Sequence, residues 1–143
     1  MRIYFAHPTS MYDTPVEREL QNRYLQSHPD DSVENPNQPQ HSQGYASGGM
    51  DYFVGLCNQL DGAFFAPFAN GKLGAGVAKE VVSFLDRNAP VYEYDRKNGE
   101  FRQVQSIGQF SVMSVDETRA AIRHERSQSP YQTLQDYSSG WVA

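Results

Sequence analysis

The chain has almost no cysteine. Cys57 is the only one among 143 residues, which excludes an intramolecular disulfide and a Cys-x-x-Cys metal knuckle. The four histidines, His7, His28, His41 and His124, have no spacing typical of metal ligands. We therefore expect neither a bound metal nor a cofactor.

Basic clusters and long apolar runs are also missing. The formal net charge is −5, so neither a nucleic-acid polymer nor an anionic membrane is an expected partner. No apolar run approaches the length of a membrane span, and the N-terminus is not a basic segment followed by a long apolar run. We expect a cytoplasmic protein. A single nucleotide is not excluded as a ligand, because it needs only one local pocket.

Two common catalytic motifs are absent. No Gly-Lys-Ser/Thr follows the glycines in the way that a phosphate-binding P-loop requires. No Gly-x-Ser-x-Gly nucleophile elbow is present either. Cys57 lies on a predicted helix face, where it is interpreted as a small hydrophobic residue.

The most informative stretch runs from residue 61 to residue 94 and predicts a β-α-β unit. The apolar run at 62–67 is too short for a helix. Three glycines follow within 70–76, then apolar residues at helical spacing, and the sequence Asn-Ala-Pro at 88–90 ends that helix. Residues 91–94 predict a second buried strand. Such units bind ligands where the loop meets the helix N-terminus.

The flanking segments extend this unit into one α/β domain. Residues 2–6 predict the first central strand, and residues 14–26 and 49–60 predict helices. Thr14, Pro15 and Glu17 are typical of a helix start, with a capping box. We predict a Rossmann-like (flavodoxin-like) parallel sheet flanked by helices.

A C-terminal extension completes the predicted domain, which spans residues 1–124. Asn98-Gly99 predicts a hairpin, residues 109–113 a further short strand, and Ser114 with Glu117 a capping box. That box would open a helix ending near Arg123.

Two segments have open interpretations. Residues 28–49 are polar and predict a brief strand at Ser32-Val33 followed by a long loop. That loop is either a mobile surface excursion or a lid that carries Tyr45 or His41 over the site. Residues 125–143 form a polar tail whose apolar members suit docking on a neighbouring subunit; these are Tyr131, Leu134, Tyr137 and Trp141.

Glu80 and Asp51 are the candidate catalytic carboxylates. A helical glutamate is usually solvated, but Glu80 follows a glycine loop at a strand-to-helix switch, where ligands collect. It also has apolar neighbours in Val77, Val81 and Phe84. Asp51 lies in the first turn of a helix, where an acidic residue is also favourable for purely structural reasons.

The ordered set of motifs resembles the nucleoside 2-deoxyribosyltransferase family, including its nucleotide N-glycosidase branch. The matching pieces are IYFA at 3–6, MDYF at 50–53, QLDGAFFAPF at 59–68 and GAGVAKE at 74–80. The resemblance covers roughly residues 1–94. It implies cleavage or transfer at the N-glycosidic bond of a (deoxy)nucleoside or nucleoside 5′-monophosphate, in a homo-oligomer.

The resemblance also assigns roles to residues. It places the nucleophile at Glu80, the helix aspartate at Asp51 and the first-strand tyrosine, which holds the nucleophile, at Tyr4. The sugar or its phosphate would meet the first loop and the glycine loop, at His7, Thr9, Ser10, Gly74 and Gly76. The glycine loop departs from the family pattern, because Lys72 stands near where the transferases often have an acidic residue. A lysine there favours an anionic ligand.

Two other functions stay open at this stage. The first is a non-catalytic nucleotide-binding or sensing domain, because Glu93 lies nineteen residues after Gly74, near where a dinucleotide fold places its ribose acid. The second is a structural or interaction subunit, which an exposed Glu80 without a cleft near Asp51 would support.

Overall fold

A central five-stranded sheet organises the molecule, for which a computed structural model describes residues 1–139. The strands in chain order are Arg2–Ala6 (β1), Ser32–Glu34 (β2), Gly62–Phe65 (β3), Val91–Asp95 (β4) and Glu100–Gln103 (β5). Across the sheet the order is β2-β1-β3-β4-β5. All neighbours are parallel except β4 and β5, which are antiparallel. The predicted α/β, Rossmann-like sheet is therefore confirmed.

Helices cover both faces of this sheet. They are Pro15–Ser27 (α1), Pro39–Gly48 (α2), Met50–Cys57 (α3), Ala75–Leu85 (α4), Val115–Gln128 (α5) and Leu134–Ser138 (α6). Side chains of β1 alternate between the faces, as strand geometry requires. Ile3 and Phe5 pack in the core cluster that includes α1, whereas Tyr4 and Ala6 pack in the cluster that includes α3 and α4. The alternation thus turns Tyr4 toward α4.

The predicted capping box is complete at the start of α5 and half formed at the start of α1. Ser114 and Glu117 form the complete capping box predicted for α5. Thr14 accepts a hydrogen bond from the Glu17 amide at the start of α1. The Glu17 carboxylate instead accepts from the Asp13 amide, so the predicted box is half formed there.

The prediction of a long loop at 28–49 is wrong in its second half. The brief strand is present as β2, but residues 39–48 form helix α2. Its glycines and polar residues are weak helix formers without an apolar stripe, so no periodicity marked it. Packing on α3 stabilises α2 instead. The Tyr52 ring lies so close to Gly44 that a Cβ at this position would be 2.3 Å from the ring carbon Cζ.

The C-terminal third also differs from its prediction. Helix α5 continues to Gln128, beyond the expected end near Arg123. The strand expected at 109–113 is reduced to a single bridge between Leu73 and Val112. Helix α5 extends to Gln128 as Glu125 near its end accepts a hydrogen bond from Ser10 in the first loop. Residues 111–113 pair with Leu73 alone, which gives a bridge instead of a strand.

The tail packs largely on its own chain. Tyr131 and Tyr137 are fully buried, and Leu134 packs partly against the same core cluster. These residues therefore need no neighbouring subunit for their burial, and the homo-oligomer stays a prediction. Trp141 lies outside the described residues. Within residues 1–139 no helix is long and apolar enough to cross a membrane.

Two glycines, Gly62 and Gly55, give a matched test of how closely β3 packs beside β4. A Cβ at Gly62 in β3 would lie 2.6 Å from the Pro90 carbonyl oxygen, whereas a Cβ at Gly55 in α3 would meet nothing within 4 Å. We expect Gly62→Ala to lower the free energy of unfolding by about 1–3 kcal/mol. Gly55→Ala should leave it unchanged or raise it by up to about 1 kcal/mol. Urea unfolding measures both, and equal effects of the two substitutions would contradict this arrangement of β3 and β4.

Candidate active site

A cleft of about 550 Å³ opens at the carboxyl ends of β1 and β3. This is the point where the chain leaves neighbouring parallel strands toward opposite faces, the usual ligand position in such sheets. The loop after β1, the glycine loop with the start of α4, and parts of α2, α3 and α5 form its walls. Much of the lining is apolar, with Met50, Phe53, Phe68, Val77 and Ile122 among its members.

Among residues 1–139, Glu80 is the only carboxylate that lines this cleft. It lies in the second turn of α4 and is 6% exposed. The Tyr4 hydroxyl donates a hydrogen bond to its Oε2 atom, so the predicted contact between these residues is present. Within residues 1–139 its Oε1 atom has no hydrogen-bond partner. The site thus contains a buried carboxylate with one oxygen held by Tyr4 and the other oxygen without a hydrogen-bond partner among residues 1–139.

Burial shifts the ionisation of this pair. It raises the pKa of Glu80 from 4.5 to about 7, although the hydrogen bond from Tyr4 acts in the opposite direction. Burial, and then the nearby Glu80 charge, raises the pKa of Tyr4 far above its usual value. Tyr4 therefore stays a hydrogen-bond donor throughout the neutral range. Glu80 exists as a mixture of carboxylic acid and carboxylate near neutrality.

Tyr12 is a site residue that the sequence analysis missed. It lines the cleft beside His7, with 5.0 Å between the ring centroids. Its pKa is raised, first by burial and then by the charge of Glu80. No residue among 1–139 forms a hydrogen bond with its hydroxyl. Tyr12 lies in an irregular loop, so no periodic pattern could have pointed to it.

The start of α4 offers hydrogen-bond donors to the cleft. The Ala75 amide donates to Thr118 Oγ1 at 2.9 Å, but the Gly76 and Val77 amides have no acceptor within the described chain. A helix N-terminus with free amides favours a negatively charged ligand group. Lys79 and Arg119 also line the cleft and are both exposed.

The predicted binding residues divide into two groups. Thr9, Gly74 and Gly76 line the cleft, as does His7. Ser10 does not, because its hydroxyl donates to the Glu125 carboxylate at 2.7 Å.

The His7 ring is a wall of the cleft with no free nitrogen. Its Nδ1 atom lies 2.9 Å from the Phe5 carbonyl oxygen, and its Nε2 atom lies 2.7 Å from Glu17 Oε2. The imidazole also stacks on the Phe5 ring, with 3.8 Å between centroids. His7 therefore holds the first loop to α1 rather than presenting a ring nitrogen to a ligand.

The structure places Asp51 outside the cleft. Asp51 is exposed in the first turn of α3 and does not line the cleft, although Met50 and Phe53 on the same helix do. Consecutive helix positions are about 100° apart, so Asp51 points away from the face that carries those two residues. The structure therefore does not bring Asp51 to the cleft beside Glu80, and its role as a second site carboxylate stays a prediction.

Two further residues singled out in the sequence also lie elsewhere. Glu93 on β4 binds Arg102 of β5 at 2.6 Å and does not line the cleft that Gly74 forms. Glu93 therefore does not face the cleft at Gly74, where a ribose acid would be expected. Lys72 is exposed and lies outside the cleft lining. Hydrogen bonds with Ser114 lower the pKa of Glu117, and the charge of Lys72 acts in the same direction.

The raised pKa of Glu80 predicts a pH-dependent stability. Its pKa is above the value in the unfolded chain, so its contribution to folding is complete below about pH 4.5 and is lost as the pH rises through about 7. We expect Glu80→Gln to exceed the unmodified protein in free energy of unfolding by about 3 kcal/mol at about pH 8. The difference should be small at about pH 5, where both side chains are neutral.

Urea unfolding at the two pH values measures this difference. Glu19→Gln is the matched control, because Glu19 pairs with Arg23 on the surface of α1 and the pair is about half exposed. Its effect should vary little with pH. A Glu80→Gln effect of the same size at both pH values would show that Glu80 is not held in a water-poor environment.

Comparisons with known proteins do not identify a family for this chain. No model of a known protein family matches the chain, and no curated protein or solved structure matches it either. The family resemblance therefore stays a prediction. The evidence on function is the set of residues that the fold brings together at the cleft.

Proposed function

We propose that this protein cleaves the N-glycosidic bond of a nucleoside 5′-monophosphate, with Glu80 as the nucleophile. The observation that carries the proposal is the buried Glu80 carboxylate, which Tyr4 holds through one oxygen while the other oxygen has no partner. A carboxylate beside the anomeric carbon stabilises an oxocarbenium-like transition state or captures it covalently. The apolar cleft suits this role because a low dielectric strengthens that electrostatic effect.

The proposed reaction has two steps. The unpartnered Oε1 atom of Glu80 forms a bond to C1′, and the electron pair of the C1′–N bond leaves with the base, whose nitrogen takes up a proton from solvent. Water then attacks C1′, the C1′–Oε1 bond breaks with its electron pair on Glu80, and the proton that the water loses passes to solvent. This step releases the sugar 5-phosphate and restores the Glu80 carboxylate. If a second base takes the place of water, the same intermediate gives transfer instead of hydrolysis.

Positive groups at one end of the cleft support a phosphorylated substrate. The free amides of Gly76 and Val77, the N-terminal end of the α4 dipole and the Lys79 and Arg119 side chains all favour an anion. No carboxylate besides Glu80 lines the described cleft to oppose it. The phosphate would therefore lie at the start of α4, with the sugar over Glu80.

Two tyrosines complete the proposed substrate contacts. The Tyr12 hydroxyl, which lies near Glu80, would donate to the sugar, since Asp51 does not line the cleft. Tyr45 and Phe53 line the cleft, with 5.6 Å between their ring centroids, and present aromatic surface to a base. A substrate of this class also fits the cytoplasmic location expected from the sequence.

A chromatographic screen for released base tests this function. The substrates are nucleosides and nucleoside 5′-monophosphates, each incubated with and without a second base. We expect release from monophosphates, and we expect Glu80→Gln to lower kcat by at least about 1000-fold because the amide cannot form the covalent intermediate. Asp86→Asn is the matched control, since Asp86 is exposed at the end of the same helix, and it should retain activity.

The outcomes of this screen separate the possible functions. Turnover retained in Glu80→Gln would remove Glu80 as the nucleophile. Release from nucleosides alone would remove the proposed phosphate contact. Nucleotide binding without any release in the unmodified protein would favour the non-catalytic nucleotide-binding domain.

The Tyr4 hydrogen bond predicts a shift in the pH profile. It lowers the pKa of Glu80, so Tyr4→Phe should raise that pKa above about 7. Glu80 must be ionised to attack, and the rising limb of kcat/KM against pH should therefore move to higher pH in the variant. Activity would fall more at about pH 6 than at about pH 8.5.

Tyr24→Phe is the control for this profile. It removes a buried tyrosine hydroxyl that binds Asp31 in the other core cluster. Its rising limb should coincide with that of the unmodified protein. A Tyr4→Phe profile that is lower by the same factor at every pH would show that the hydrogen bond does not tune the ionisation of Glu80.

A further inference from the structure

Glu125 is a buried carboxylate that the proposed reaction does not use. It lies near the end of α5 and is 6% exposed. Its Oε1 atom accepts hydrogen bonds from the Ser10 hydroxyl at 2.7 Å and the Tyr131 hydroxyl at 2.5 Å. Its Oε2 atom accepts from the Ala69 amide at 2.9 Å. One carboxylate thus binds three separate segments of the chain.

Two of those segments lead into parts of the chain that line the cleft. Ser10 belongs to the loop after β1, next to Thr9, which lines the cleft. Ala69 belongs to the loop after β3, which leads into the glycine loop and α4. Residues 1–139 provide no salt-bridge partner for Glu125. Within that range the Glu125 carboxylate is therefore held by its three hydrogen bonds, two of which join the loops after β1 and β3.

Helix α5 holds the cleft at two points along one face. Val115, Thr118, Arg119 and Ile122 line the cleft, and Glu125 continues the same stripe at helical spacing. Thr118 Oγ1 accepts from the Ala75 amide at the start of α4. The helix is thus anchored to the glycine loop by Thr118 and to the loops after β1 and β3 by Glu125.

We propose that Glu125 is a positioning residue for this cleft, which fixes the loops after β1 and β3 relative to each other. The role in turnover rests on the proposed function, whereas the ordering of the loops does not. A substrate held between Thr9 and the start of α4 would depend on this distance, because small misplacements of binding groups slow a reaction strongly. Glu125 itself does not touch the substrate.

Three variants separate positioning from a general loss of stability. Glu125→Ala removes all three hydrogen bonds. Glu125→Gln can keep them, because its oxygen can face the Ala69 amide while its NH₂ group faces hydroxyls that are able to accept. Glu93→Ala is the matched control, since Glu93 is a carboxylate of similar burial, 8% exposed, that binds Arg102 away from the cleft.

Steady-state kinetics with nucleoside 5′-monophosphates test the functional half. At a temperature where all variants are folded, Glu125→Ala should lower kcat/KM by about 10- to 100-fold. Glu125→Gln and Glu93→Ala should stay within about threefold of the unmodified protein. Equal losses in Glu125→Ala and Glu93→Ala, or full activity in Glu125→Ala, would overturn the inference.

Hydrogen exchange tests the structural half without turnover. The Tyr12 amide donates to Thr9 and the Ala75 amide donates to Thr118, and neither contacts Glu125. Both amides should exchange faster in Glu125→Ala than in the unmodified protein, and their exchange rates should be unchanged in Glu93→Ala. Unchanged exchange in Glu125→Ala would overturn the positioning role. If the unmodified protein releases no base, the proposed function fails, and exchange alone decides whether Glu125 orders the cleft.

Discussion

The hydrogen bond from Tyr4 to Glu80 is the interaction on which the site depends. A carboxylate with 6% exposure has lost most of its water, and an ionised group in such a place is stable only if other groups replace that water. Tyr4 does so because β1 turns it toward α4. The central strand and the helix after the glycine loop must therefore keep a fixed distance, and the core cluster that contains Tyr4, Val81 and Phe84 maintains it.

Local patterns explain why much of this arrangement could be predicted. Thr14 and Ser114 mark helix starts through contacts within one turn, so the sequence contains the whole signal. The β-α-β unit combines a short apolar strand, a glycine loop and an apolar helix stripe, and these fix the position of Glu80 at the carboxyl end of β3. Tyr4 was predicted from the family resemblance, and the alternation of β1 side chains explains why it faces α4.

The remaining features depend on contacts between distant residues. Asp51 and Phe53 lie on one helix, and only the packing of α3 decides which of them faces the cleft. Helix α2 has no apolar stripe and is stabilised by Tyr52 against Gly44. Glu125 bonds to Ser10 and Ala69, which are far from it in sequence. No local periodicity encodes such contacts, so sequence reasoning missed them.

The edges of the sheet limit how copies of this chain can associate. Strand β2 has three residues, and β5 returns antiparallel with Glu100, Arg102 and Gln103 exposed. Short and charged edge strands resist the addition of a further strand from another molecule. A homo-oligomer of this protein would therefore form through its helices and loops, and the sheet itself is protected against the edge-to-edge stacking that leads to aggregation.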